Sequence, residues 1–280
     1  MADSWQTFGH HHVTEVLDRQ LAHGQLAHAY LFLGPAGIGK RTLAVEFAAR
    51  ILKTNKPQNH PDFKLLDGPG EITAEMAQEF IRSLSLKPFA GARKAAIING
   101  AENLNQQSGN ALLKTLEEAA PDTVIILVAN TGRLLPTLVS RCQKFNFAEF
   151  SPEELRQFLK QHGRPAAGSE VLALSFGKIS RLLRLLEDAA YLQSQQALAE
   201  RYRVLTGARL GERLLAVAEY QDLDREELAE NFQLWLSWQA GQLEAEPGRI
   251  ARLKALGEAL ADLDRNKNKK LILQDLFIKI

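Results

Sequence analysis

The stretch that most constrains this chain is LFLGPAGIGKRT at residues 31–42. Residues 31–33 close a short apolar run with the character of a buried strand, and RTLAVEFAARIL after Lys40 has helical periodicity. Between them, Gly34-x-x-x-x-Gly39-Lys40 has the spacing of a phosphate-binding loop. Glycines, Gly37 among them, let consecutive backbone N–H groups converge on phosphate oxygens, and the start of the next helix adds its dipole. Lys40 is spaced to reach the β- and γ-phosphates. A glycine-rich turn matching by chance is the alternative; a strand before and a helix after argue against it.

One position departs from the pattern. The residue after the lysine is ordinarily Ser or Thr, whose hydroxyl holds Mg²⁺, and here it is Arg41. Thr42 is no simple replacement, because one helical step turns a side chain by roughly 100°. A nucleotide hydrolase also needs an Asp, usually followed by Glu, where an apolar strand ends. The run at 95–98 is followed instead by Asn99 and Gly100, and Glu102 falls three residues past Asn99. Metal and water positions altered together predict a loop that cradles phosphate, holds Mg²⁺ poorly and hydrolyses ATP weakly or not at all. ATP or ADP is therefore expected at most as a weak ligand, on Gly34, Gly37, Gly39, Lys40, Arg41 and Thr42.

Composition matters mainly for what it excludes. The net charge of +1 makes no case for a polyanionic partner, so any nucleic-acid contact must come from a local patch. Arg82, Lys87, Arg93 and Lys94 form such a cluster in sequence, and a solvated face explains them as well as DNA does. One cysteine, Cys142, excludes a disulfide framework and a multi-cysteine zinc site, and suits a reducing cytoplasm. No run is long enough for a membrane span, and MADSWQTFGHHH lacks the blocks of a signal peptide. His10, His11 and His12 are adjacent, point different ways, and read as a solvated turn.

Strand patterns at 29–33, 63–66, 95–98, 123–128 and 143–147 alternate with helical ones at 13–23, 41–52, 73–84 and 104–118. That alternation predicts an α/β domain over residues 1–150, a parallel sheet with helices on both faces. From Ser151 strand signals stop. SPEEL opens a helix with Ser151 as N-cap and Glu154 three residues on. Short helices over 154–161, 169–174 and 179–192 predict a small helical lid at 151–193. Longer ones over 194–205, 210–219, 226–243, 249–262 and 270–278 predict an all-α collar at 194–280. Trp235 and Trp238, three apart, read as core.

LLPTLVSRC, residues 134–142, lies between the last two strands, which sets Arg141 at the domain edge. An arginine there could be an ordinary surface ion pair, or could be offered to a γ-phosphate bound by a neighbouring subunit.

Taken together, HAYLFLGPAGIGKRT, NHPDF, AENLNQQSGNALLKTLEEAAPDTVIILVAN and LLPTLVSRCQKF resemble the AAA+ clamp-loader family of bacterial DNA polymerase III, and its delta-prime-like members most. The resemblance covers about residues 6–150, and continues more weakly through GKISRLLRLL and the final DLDRNKNKKLILQDLFIKI. It implies a subunit of a hetero-pentameric ring, with motor subunits and a delta-like subunit as partners, that loads a sliding clamp onto primed DNA. It further implies that Arg141 of Ser140-Arg141-Cys142 is an arginine finger acting in trans. Asn130, with Thr131 beside it, takes the sensor-one position, and Ser180, next to Arg181, the sensor-two position. The family's four-cysteine zinc module is absent from LKTNKPQNHPDF, so no zinc is expected. A catalytically active motor ATPase and a pure ring scaffold with a relic nucleotide site are the competing readings.

Overall fold

The computed structural model describes residues 5–68, 70–117, 122–130, 134–241, 248–265 and 267–280, with side chains 240, 241 and 264 set aside. It divides into two compact units, residues 1–149 and 150–280. In the first unit, α1 (His11–His23) precedes β1 (Ala29–Leu33) and α2 (Lys40–Leu52). Then come β2 (Phe63–Asp67), α3 (Ala74–Leu84), β3 (Lys94–Asn99), α4 (Gln106–Glu117), β4 (Thr123–Ala129), the single turn α5 (Pro136–Val139) and β5 (Gln143–Asn146). All strand pairs are parallel, in the order β2-β3-β4-β1-β5.

Period-two alternation explains why β1 is apolar throughout. Ala29 and Leu31 enter one core with Ile98, Leu127, Phe80, Leu112 and Leu116. Tyr30 and Phe32 point to the other face, where they meet Phe47, Phe145 and Phe147 at ring distances of 5.1–6.2 Å. Both faces are covered, as a parallel sheet requires. Each buried aromatic stabilises this arrangement by about 1.5–3 kcal/mol. The Tyr30 hydroxyl accepts from the Ala27 N–H and donates to Gln20, so its polar end is satisfied inside the core.

On α3, Thr73 caps the helix as its sequence implies, accepting from the Met76 N–H. Phe80 and Leu84 are buried on its inner face, and Met76 is 37% exposed. Asp62 has a larger role than its place in NHPDF suggests. Its carboxylate accepts the N–H groups of Phe89, Ala90 and Gly91 at 2.6–3.1 Å and shapes the loop before β3. Burial pushes the Asp62 carboxyl up, but these three bonds and nearby His60 outweigh it and hold it below its ordinary value.

The second unit is helical: α6 (Pro152–Gln161), α7 (Ser169–Leu174), α8 (Ile179–Glu187), α9 (Ala189–Gly207), α10 (Leu210–Gln221), α11 (Arg225–Gly241), α12 (Arg249–Asp264) and α13 (Lys269–Lys279). The capping box at Ser151 forms. Trp235 is fully buried, with Tyr202 stacked at 5.0 Å and Tyr220 edge-on at 5.4 Å, and its indole N–H donates to the Leu198 carbonyl. Trp238 is half-buried against the same cluster.

The helix expected over 179–192 is two. It breaks at Asp188, whose side chain accepts the Tyr191 N–H and starts α9. Residues 193 and 194 therefore lie within α9. The ends expected at 118 and at 242–243 lie outside the described residues. No helix among the described residues is long and apolar enough to cross a membrane.

Candidate nucleotide-binding site

Parallel register assembles the site at the carboxyl ends of β1, β3 and β4. Leu33 pairs with Ala129, and the Gly34 N–H continues the ladder to the Ala129 carbonyl. Gly34 then passes so close to β5's exit that a Cβ would stand 2.3 Å from the Phe147 carbonyl oxygen. Gly37 and Gly39 adopt φ of 80° and 96°, the left-handed backbone that turns the loop into the N-terminus of α2. Lys40 is 4% exposed, and its ammonium donates to the Pro35 carbonyl and, at 3.0 Å, to Asn130 Oδ1. The β1–β4 register thus brings the expected phosphate lysine and the expected sensor together. Thr131 lies outside the described residues.

Arg41 points elsewhere. Its guanidinium grips Asp67 through Nε at 3.1 Å and Nη2 at 2.6 Å, while Asn99 Nδ2 donates to the other Asp67 oxygen at 2.6 Å. The β2–β3 register, with Asp67 opposite Asn99, sets this up. The Asn99 bond is the chief reason that the Asp67 carboxyl is held low; burial opposes it and Arg41 adds to it. Arg41 and Asp67 are about half exposed, so the pair adds little stability, about 0–1 kcal/mol. Its consequence is chemical. A guanidinium and a carboxamide occupy the two positions that would hold Mg²⁺, and the nearest carboxylate already satisfies both.

Gly100 also excludes a catalytic carboxylate. It has φ of 80°, and a Cβ there would meet the Gly68 carbonyl oxygen at 2.6 Å. That carbonyl is fixed by Asn103 Nδ2 at 3.0 Å, and the Gly68 N–H by the Asn99 carbonyl. The residues present fit phosphate oxygens at the loop; they do not fit a metal ion. Thr42 is exposed and lines a cleft of about 260 Å³ with Glu46, Arg50 and Pro57, on the flank of α2.

Two neighbours of the loop are missed by the sequence. His10 is buried, not solvated, and its Nε2 bonds the Ile38 carbonyl at 2.8 Å within the phosphate loop. Glu46 on α2 accepts the backbone N–H groups of Gln6 and Thr7, tying residues 6–7 beside Gly39. Nothing in a histidine triplet or a lone helical Glu announces either contact.

Arg141 follows α5 and is partly exposed. Its Nε and Nη2 donate to one Glu117 oxygen at the end of α4, and Nη1 donates to the Thr137 carbonyl at 3.0 Å. In the isolated chain it is a surface ion pair. Such pairs are worth about 0–1 kcal/mol, so a stronger anion can displace Glu117 at small cost. Neighbouring Cys142 is shielded: burial pushes its thiol up to about 12, which leaves little thiolate for chemistry at neutral pH.

In the second unit Ser180 opens α8 and Arg181 is built into the packing. Arg181 stacks on Phe176 at 4.2 Å, donates to the Leu174 carbonyl at 2.8 Å and also donates to Gln195. Arg181→Ala is expected to cost about 1–3 kcal/mol, read as a lower denaturant midpoint, through the lost stacking and the unpaired Leu174 carbonyl.

The family model described as DNA polymerase III, delta subunit, matches residues 9–151, about half of the chain. This chain belongs to that family. A DNA polymerase III subunit delta-prime of Pseudomonas aeruginosa is 38% identical over 140 residues, 42% of this chain and 42% of that one. The Bacillus subtilis delta-prime subunit is 27% identical over 224 residues, 73% of this chain and 68% of that one. The match thus spans less than half of the Pseudomonas relative's length. Among solved structures, the Thermotoga maritima RuvB Holliday junction branch migration motor aligns with a TM-score of 0.56 at 20% identity, covering 86% of this chain and 90% of that one. That likeness is of fold, and the fold is that of AAA+ proteins: a P-loop α/β domain followed by helices.

Proposed function

We propose that this chain is a delta-prime-like subunit of a DNA polymerase III clamp loader, and that it contributes to the assembly without hydrolysing ATP itself. The observation that carries the second half is the Arg41–Asp67–Asn99 cluster, where a working site needs a hydroxyl and a carboxylate for Mg²⁺. ATP or ADP would rest on Gly34–Lys40, with Asn130 released from Lys40 to face the terminal phosphate. Arg141 would leave Glu117 to meet the nucleotide of a neighbouring motor subunit. Partners on this reading are tau- or gamma-type motor subunits and a delta-type subunit in a pentameric ring, with a sliding clamp and primed DNA reached through the complex. Within the second unit, α6 to α8 act as a lid and α9 to α13 as the collar that joins the ring.

The first test is assembly. The full chain, mixed with its cognate motor and delta-type subunits, is expected to co-elute with them as one species in size-exclusion chromatography with light scattering. A chain that elutes alone under conditions where the others associate would overturn the assignment.

A further inference from the structure

The second unit holds a cavity that neither the nucleotide site nor the core explains. It has a volume of about 290 Å³ and lies among α9, α10 and α11. Leu198, Tyr220 and Leu223 give it apolar walls, Asn231 lines it, and Glu219, Glu227, Glu230 and Arg201 stand around it. Three carboxylates thus face one guanidinium. Among the described residues none of the three forms an ion pair, and Arg201 is engaged with the Tyr220 hydroxyl. Glu227 accepts only the Asp224 N–H, as part of the start of α11.

Asn231 is the second, independent observation. Its side chain is 7% exposed, yet it has no hydrogen-bond partner among the described residues. Its amide is not fully enclosed by protein, so it is turned to the water of the cavity. Here it lines the cavity, ready to accept from a donor placed there. The volume is just below the roughly 300–1,000 Å³ of sites that enclose whole small molecules, and is sized for one long side chain.

We propose that this cavity receives the basic side chain, an arginine or lysine, of a partner polypeptide. The methylene stem would lie along Leu198, Tyr220 and Leu223, and the cationic head would donate to Asn231 Oδ1 within the field of the carboxylates. The proposal does not depend on the nucleotide site or on the assembly named above, and it is tested on the isolated full chain.

The Asn231 side-chain amide resonances of ¹⁵N-labelled protein are followed while N-acetyl-arginine amide is added. The expected result is a saturable shift that N-acetyl-citrulline amide, a neutral isostere, does not produce. Glu219→Gln with Glu230→Gln should weaken binding by about three- to tenfold, as should raised salt. Asn231→Leu, which keeps the shape and removes the acceptor, should weaken it as well, followed through neighbouring Leu198 and Leu223 methyl signals. Equal shifts with the citrulline compound, or none with either, would overturn the proposal. So would spermidine binding more tightly than N-acetyl-triarginine amide, a peptide of the same net charge of about +3, since the site would then be one for free polyamines.

Discussion

Arg141→Ala, introduced into a reconstituted assembly, is expected to lower the clamp- and DNA-stimulated ATPase while the subunits still co-elute. Arginines offered to a neighbour's γ-phosphate are worth ~10³–10⁵ in rate in well-studied GTPases, and a small part of that is easily measured. On the proposed reading the exchange is cheap: Arg141 is held at the surface by Glu117 and the Thr137 carbonyl, contacts that a phosphate can outcompete. Arg141→Lys should fail to rescue, because a compact ammonium cannot reproduce the planar fork. Glu117→Gln should leave the rate unchanged or raise it, since it loosens only the resting contact. Lys40→Ala should do far less than Arg141→Ala. If Lys40→Ala is the more damaging change, the chain is a motor.

Gly100→Glu should destabilise the first unit by about 2–5 kcal/mol and yield no ATPase. A glutamate there would meet the sequence pattern of an active site, but the backbone forbids it. The left-handed φ of 80° costs a non-glycine residue about 1–3 kcal/mol, and the Gly68 carbonyl 2.6 Å from the new Cβ is pinned at both ends. Adding Arg41→Thr and Asn99→Asp should not rescue hydrolysis, because the water-positioning carboxylate still has no place to stand. Denaturant titration reads the first effect and phosphate release the second. A stable triple variant with measurable turnover would show that the lost chemistry is only side-chain deep.

Local features were legible in the sequence because each rests on nearby residues. The apolar run 29–33, the glycines and Lys40 give strand, loop and helix in succession, and the Ser151 capping box forms across three residues. Contacts set by sheet order were not legible. Asp67 lies 26 residues from Arg41 and 32 from Asn99, and only the β2–β3 register brings the three together. His10 reaches Ile38 across 28 residues because α1 packs beside the loop, which an exposed-looking HHH cannot reveal. The break at Asp188 was hidden by continuous helical periodicity; an aspartate three residues before Tyr191 was its only trace. The altered metal positions, Arg41 and Asn99, stand in the sequence, but the carboxylate of Asp67 that fills the gap between them is set by the fold.

On the proposed function, the loop keeps a phosphate cradle and has given up its metal. Calorimetric titration of ATP into the isolated chain, with and without Mg²⁺, tests it most directly. Binding carried by backbone N–H groups and Lys40 should differ between the two titrations by no more than a factor of about three, under 1 kcal/mol. A tightening of about tenfold or more with Mg²⁺, equivalent to about 1.4 kcal/mol, would mean that Asp67 abandons Arg41 and Asn99 to hold the ion, and would contradict the account.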